Sequence, residues 1–232
     1  MLVLALLAGA LATPRAGAQQ PLYAASALAE LDSATTAGVL HELESASRRG
    51  LPTEPLLAKA REGRVKRAAG PRIRLAVAAL ATRLDSARGA LGPSSSSDEL
   101  VAGADALAAG ADGSALRTLR AASPQRSVSV ALGALTQLVA SGVPVRRATA
   151  MVADLLRRNA APALLVAFGN AVESDAASGL PAEEAAAFRL RATDAIARSA
   201  DAATSYNSAP PPGATSSAAS TPPKSSPPRR RP

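Results

Sequence analysis

His41, in the stretch "VLHELES", is the single histidine of this 232-residue chain, so any imidazole-dependent chemistry would have to use it. No second histidine follows four residues on, so the H-E-x-x-H zinc pattern is absent. No G-x-S-x-G elbow places a nucleophile beside it. Next to Glu42 and Glu44 on a helix, His41 reads as a surface residue. The serine run Ser94–Ser97 reads as loop, and no S-x-x-K is present. "GADGS" lacks the G-K-[ST] that would make a phosphate loop. The acids are scattered: Asp105 and Asp112 flank an Ala/Gly-rich stretch, and Glu183 and Glu184 open a helix, where the dipole favours them. With no Cys there is no disulfide, no thiolate metal site and no thiol nucleophile. No residue is therefore assigned to catalysis, to a metal or to a cofactor, and an enzyme is not expected.

One local concentration of charge stands out. Lys59, Arg61, Arg64, Lys66, Arg67, Arg72 and Arg74 face a single acid, Glu62, within sixteen residues. Seven cations on two successive helices and their turn form a candidate anion-binding patch. A solvated helix face would carry the same residues, so both readings stand here. Arg146, Arg147, Arg157 and Arg158 form a smaller group. No aromatic residue interleaves the cations, which argues against nucleic acid as a partner.

The elements that must position these residues are helical. Hydrophobic residues make up 47% of the chain but aromatics only 2%, so any core is built from Ala, Leu and Val. Small side chains suit close helix-on-helix packing. A GC-rich genome would produce the same Arg, Ala, Pro and Gly abundance, so composition alone decides nothing. Periodicity decides more. Ile73, Val77, Leu80 and Leu84 form an apolar stripe at helical spacing, as do Val128, Leu132, Leu135 and Val139. Val145, Ala148, Val152 and Leu155 give a third, and Ala185, Phe188, Ala192 and Ala195 a fourth. No comparable stretch alternates at strand period. The expected fold is all-α, with antiparallel helical hairpins stacked as a bundle or short irregular solenoid.

The corners are marked by Gly50-Leu51-Pro52, Gly142-Val143-Pro144 and Gly179-Leu180-Pro181. Glycine ends a helix at no steric cost, the apolar residue packs back on the last turn, and proline suits the first turn of the next helix. Gly142 to Gly179 spans 37 residues, a spacing within the range of stacked helix pairs. Helices are expected near 24–33, 36–49, 53–68, 72–90, 97–109, 114–122, 125–141, 144–159, 162–177 and 181–203. In the loop before the fifth, Ser97 is the expected cap, with Asp98 and Glu99 in the first turn. The glycines and serines near 89–114 mark the loosest part of a domain spanning 19–203.

Both ends read differently. Leu2–Ala12 is an apolar run followed by Ala16-Gly17-Ala18, which reads as a signal peptide cut after Ala18. The run is too short to span a bilayer, so no transmembrane segment is expected once the signal is removed. From Thr204 the chain turns to Pro, Ser and Ala and ends in Arg229-Arg230-Arg231, with Tyr206 expected to close the last helix. Such a composition buries too little to order itself, so 204–232 reads as a disordered basic tail. Of the formal net charge of +8, Arg15 would leave with the signal, and Lys224 and the three terminal arginines lie in the tail.

Gly50, Leu51, Pro52, Glu54, Pro55, Leu56, Lys59, Glu62, Gly63 and Lys66 form a segment that resembles a motif of uncharacterised exported bacterial proteins. Their helical repeats open G-L-P-x-E-P-L and continue with a Lys and an E-G pair. The resemblance covers one helix and its corner. It implies a bacterial, exported, all-helical protein and carries no functional residues across.

The function expected from these readings is a non-catalytic exported protein, periplasmic or secreted, serving as an interaction or structural element of the bacterial envelope. A binder of an anionic envelope polymer or membrane surface, acting through the basic helix pair, is the alternative. A hydrolase without a recognisable motif is the third. The partner, an envelope protein or an anionic polymer, is left open.

Overall fold

A computed structural model describes residue 28 and residues 31–208, with 196–208 described by backbone alone. The signal-peptide segment and the tail beyond Ser208 lie outside the described residues. The described chain is all-helical. In order, α1 is Ser33–Arg48, α2 Glu54–Val65, α3 Gly70–Leu91, α4 Ser97–Ala108, α5 Gly113–Ala122, α6 Ser129–Ala140, α7 Val145–Arg157, α8 Pro162–Ala177 and α9 Ala182–Ser208. Leu28 is buried in a turn whose carbonyl accepts from the Leu31 N–H. That turn stands where the end of a helix over 24–33 was expected, and helix begins only after Asp32 caps Thr35. Helix α9 continues past Tyr206, the residue expected to close it, to Ser208. Contacts divide the chain into a unit ending at Leu190 and a second beginning at Arg191, the latter described only as the continuation of α9.

Within the first unit the helices form two layers. Alternate helices α1, α3, α5 and α7 pack side by side, each on the next, and α4, α6 and α8 do the same. Helix α2 joins α1 to α3, and the layers meet through α3–α4 and α6–α7. The apolar stripes supply the seam between them. Ile73, Val77 and Leu84 are buried from α3; Leu132, Leu135 and Leu138 from α6; and Ala148, Val152 and Leu155 from α7. Gly103 allows a close approach, because a Cβ there would press on Ala87, Leu91 and Leu116 at 3.0 to 3.3 Å. The stretch 89–114, where glycines implied marginal helices, contributes Leu91, Leu100, Ala104, Ala106 and Ala111 to this core.

The corners share one hydrogen-bonding scheme. After α1, the Gly50 N–H donates to the Ser47 carbonyl and the Leu51 N–H to the Ala46 carbonyl, both at 2.9 Å. This pair of bonds satisfies two carbonyls that the helix end would leave open. The same pair recurs around Arg67, Gly110, Gly142, Asn159 and Gly179, making six such corners among the described residues. All six residues have positive φ, from 52° at Arg67 to 107° at Gly110. The apolar residue that follows is buried as Leu51 and Val143, but Leu180 is 47% exposed. Pro144 is the N-cap of α7 and Pro181 precedes Ala182, so these prolines stand just before the first turn rather than within it. Pro71 and Pro162 do lie within the first turn.

One expected stripe is not a core stripe. Ala185 and Ala186 are buried, but Phe188 is 55% exposed. Helix α9 is anchored at its start by polar contacts: Arg189 forks onto Asp175 of α8 with two bonds of 2.6 Å, and Arg147 of α7 meets Glu183 at 3.1 Å. The Arg189 guanidinium also lies 5.9 Å from the centroid of the Phe188 ring, whose remaining face stays open.

Candidate functional site

The basic segment folds as the second half of α2, a tight corner at Arg67 and the start of α3. On α2, residues 56, 57 and 60 face the core. The 100° step then places 59, 62 and 66 on one flank and 61 and 64 on the other. Lys59 donates to Glu62 Oε2 at 2.8 Å, and Lys66 to Glu62 Oε1. Hydrogen bonds from Lys59 and then Lys66, with their charges, hold the Glu62 carboxyl down to about 2. Arg61 turns the other way, to Glu54 at 3.7 Å. Arg64 is half-buried.

Arg74 belongs to the interface with α1. Its Nη1 donates to Thr35 Oγ1 at 3.3 Å, and its aliphatic stem crosses Gly38, where a Cβ would collide with Cδ. Asp32, at the N-cap of α1, has its carboxyl held below the usual range by hydrogen bonds from Thr35, with the Arg74 charge adding to the effect. Lys66, Arg67 and Arg72 are exposed at the corner itself. The seven cations are thus divided among two flanks of α2, the α1–α3 contact and one exposed tip. The smaller group is engaged with acids at three of its four members: Arg147 with Glu183, and Arg157 and Arg158 with Asp154.

The most elaborate polar cluster was not singled out from the sequence. Glu99 is 5% exposed. Its Oε1 accepts from Arg120 Nη2 at 2.6 Å and from the Val128 N–H at 2.9 Å, while Oε2 accepts from the Ser96 N–H at 3.0 Å. Ser96 Oγ in turn accepts from the Glu99 N–H, completing a capping box. Ser96, not Ser97, is therefore the cap of α4; the reciprocal bond needs the acid three residues on, and Glu99 stands three after Ser96. Burial pushes the Glu99 carboxyl up, but the Val128 and Ser96 N–H groups and Arg120 outweigh it and hold it below the usual range. Arg120 also donates to the Arg126 carbonyl, and Arg126 to Asn159 Oδ1 and the Ala160 carbonyl. This chain of bonds links α4 through α5 to the corner after α7. Its partners are the protein's own groups, so its evident work is structural.

Two clefts lie apart from this cluster. One of about 670 Å³ lies between the α1–α2 corner and the start of α4, with Ser47, Leu51, Pro52, Glu54 and Asp98 in its walls. The other, of about 240 Å³, lies between α5 and α7 beside Asp112, Thr118 and Arg146. His41 is exposed on α1 and lines neither. Among the described residues, no three His, Asp or Glu side chains converge as metal ligands, and no helix is long and apolar enough to cross a membrane. Comparison with family models, with curated proteins and with solved structures finds no match to this chain.

Proposed function

We propose that the chain is a non-catalytic helical scaffold of the bacterial envelope, exported by its apolar leader and working through contact rather than turnover. The observation that supports this reading best is the recurrence of one hydrogen-bonded corner between helices stacked in two layers. Helix-pair arrays of this kind present side chains of successive helices on a common outer surface, which suits them to bind extended partners. The polar groups between helices point the same way. Glu99, Arg120 and Arg126 spend their hydrogen bonds on joining helices, whereas an acid–base pair needs a carboxylate open to a substrate.

The experiment places a photo-crosslinking residue at Thr82, Thr118 or Ala150, exposed positions on α3, α5 and α7. Irradiation in the producing cell is expected to give a discrete adduct from at least one position. Hydrolase turnover that disappears on replacing an acid or serine, with no adduct anywhere, would overturn the reading. Export is tested separately by mass analysis of the released protein, which is expected to begin at Gln19.

A further inference from the structure

We propose that the α2–α3 corner is a docking tip for an anionic lipid surface, with Val65 and Leu75 entering the headgroup–acyl boundary between the cations Lys66, Arg67 and Arg72. Val65 is the last residue of α2 and is 74% exposed; Leu75 is 71% exposed on the face of α3 opposite the buried Ile73 and Val77. Among the described residues they are the most exposed of the large apolar side chains, and they flank a single corner. From Gly63 to Leu84 the sequence has six cations and no acid. The nearest carboxylate in sequence, Glu62, is already held between Lys59 and Lys66, and that of Asp32, which lies beside Gly70, is engaged by Thr35 at the start of α1. Arg67 and Arg72 are both exposed at the tip.

A second observation is independent of charge. Four of the six similar corners have glycine at the left-handed position and one has asparagine, the residues that tolerate it. Only this corner has arginine there, at φ 52°. A charged side chain held at a strained backbone position points to a use for that side chain. The apolar pair decides which anionic partner it serves. A hydrated polyanion offers Val65 and Leu75 nothing to enter, whereas a bilayer rewards both the cations and the apolar groups. This inference does not depend on the scaffold reading, since a scaffold with a soluble partner would leave vesicles unbound.

The test measures binding of the full chain to vesicles containing about 30 mol% phosphatidylglycerol and to neutral phosphatidylcholine vesicles, at low and physiological salt. Because the leader and tail are unchanged in every variant, the differences between variants are what is read. The protein is expected to prefer the anionic vesicles, increasingly so at low salt. Arg67→Gly with Arg72→Gln should weaken that binding about 25-fold, about fivefold for each cation near the surface. Arg67→Gly alone should weaken binding yet raise the melting temperature, because it relieves the backbone; a merely misfolded variant would lower both. Val65→Ser with Leu75→Ser should lose vesicle binding while keeping any affinity for soluble polyphosphate. Vesicle binding unchanged in the Val65→Ser, Leu75→Ser variant, equal binding to neutral vesicles, or no loss on removing Arg67 and Arg72 would each overturn the proposal. So would a protein adduct that needs Val65 and Leu75 in a chain that ignores vesicles.

Discussion

Glu99 shows how much of this molecule's chemistry is spent on holding itself together. A carboxylate that is 5% exposed is tolerable only because three donors, from Arg120, Val128 and Ser96, converge on it. Its folded-state carboxyl lies below the usual range, and the sign of the pH dependence follows. Ionised Glu99 contributes stability above the unfolded value of about 4.3, and that contribution is lost as pH falls through the lower folded value. Glu99→Gln is therefore expected to cost about 2 kcal/mol at neutral pH, the range of hydrogen bonds to a charged group. The gap from the parent protein should narrow in acid. Urea midpoints of the two proteins at neutral pH and near pH 3 check this; a gap constant across that range would mean that the carboxylate's charge is not what Arg120 and the two N–H groups hold. Ser96-x-x-Glu99 was the sequence signal for the cluster, as a capping box. What local sequence could not supply is that the same carboxylate also reaches Val128, 29 residues on, and Arg120.

At the scale of the element, the corner is the unit that was most legible and also the one most undercounted. Gly-apolar-Pro marked the corners at Gly50, Gly142 and Gly179, and all three are closed by the same two bonds. Those at Arg67, Gly110 and Asn159 close identically without the triplet, because the bonds are made by backbone groups and require only a tolerable positive φ. The spacing was harder to read for a related reason. Gly110 to Gly142 is 32 residues and Gly142 to Gly179 is 37. The longer step contains α8, with 16 residues against the 12 of α4 and α6. One extra turn keeps an apolar stripe on the same face, so hydrophobic periodicity passes over the insertion. The glycine requirement itself can be tested by a pair of substitutions. Gly142→Ala forces a side chain to φ 98° and should destabilise by about 1–2 kcal/mol. Gly133→Ala, inside α6 with nothing within 4 Å of the new Cβ, should stabilise by up to about 1 kcal/mol. Denaturant midpoints of the two variants should therefore move in opposite directions.

The whole of the first unit is joined by neighbours. Helix α3 packs on α1, α2, α4 and α5, and α6 on α4, α5, α7 and α8, while α1 and α8 share no extended contact. Stability in such an arrangement is close to a sum of local terms and nearest-neighbour interfaces, so damage at one end is felt mainly there. The candidate basic site shows the same logic from the side of legibility: all seven cations were visible in the sequence, but their division only in part. Helical phase separates Lys59 and Lys66 from Arg61, and the packing of α3 on α1 takes Arg74 out of the group. Only the second of these needs knowledge of which helices are neighbours. The consequence for stability is measurable at Leu165, buried on α8, the helix that packs on α6. Leu165→Ala is expected to cost about 2–4 kcal/mol where α8 meets α6. In hydrogen exchange, amides of α6 and α8 should lose protection while those of α1, α2 and α3 keep theirs. A uniform loss across all helices would instead mean that the unit opens as one cooperative body, and that the contacts relayed through α4 and α5 couple its ends more tightly than a neighbour-only scheme allows.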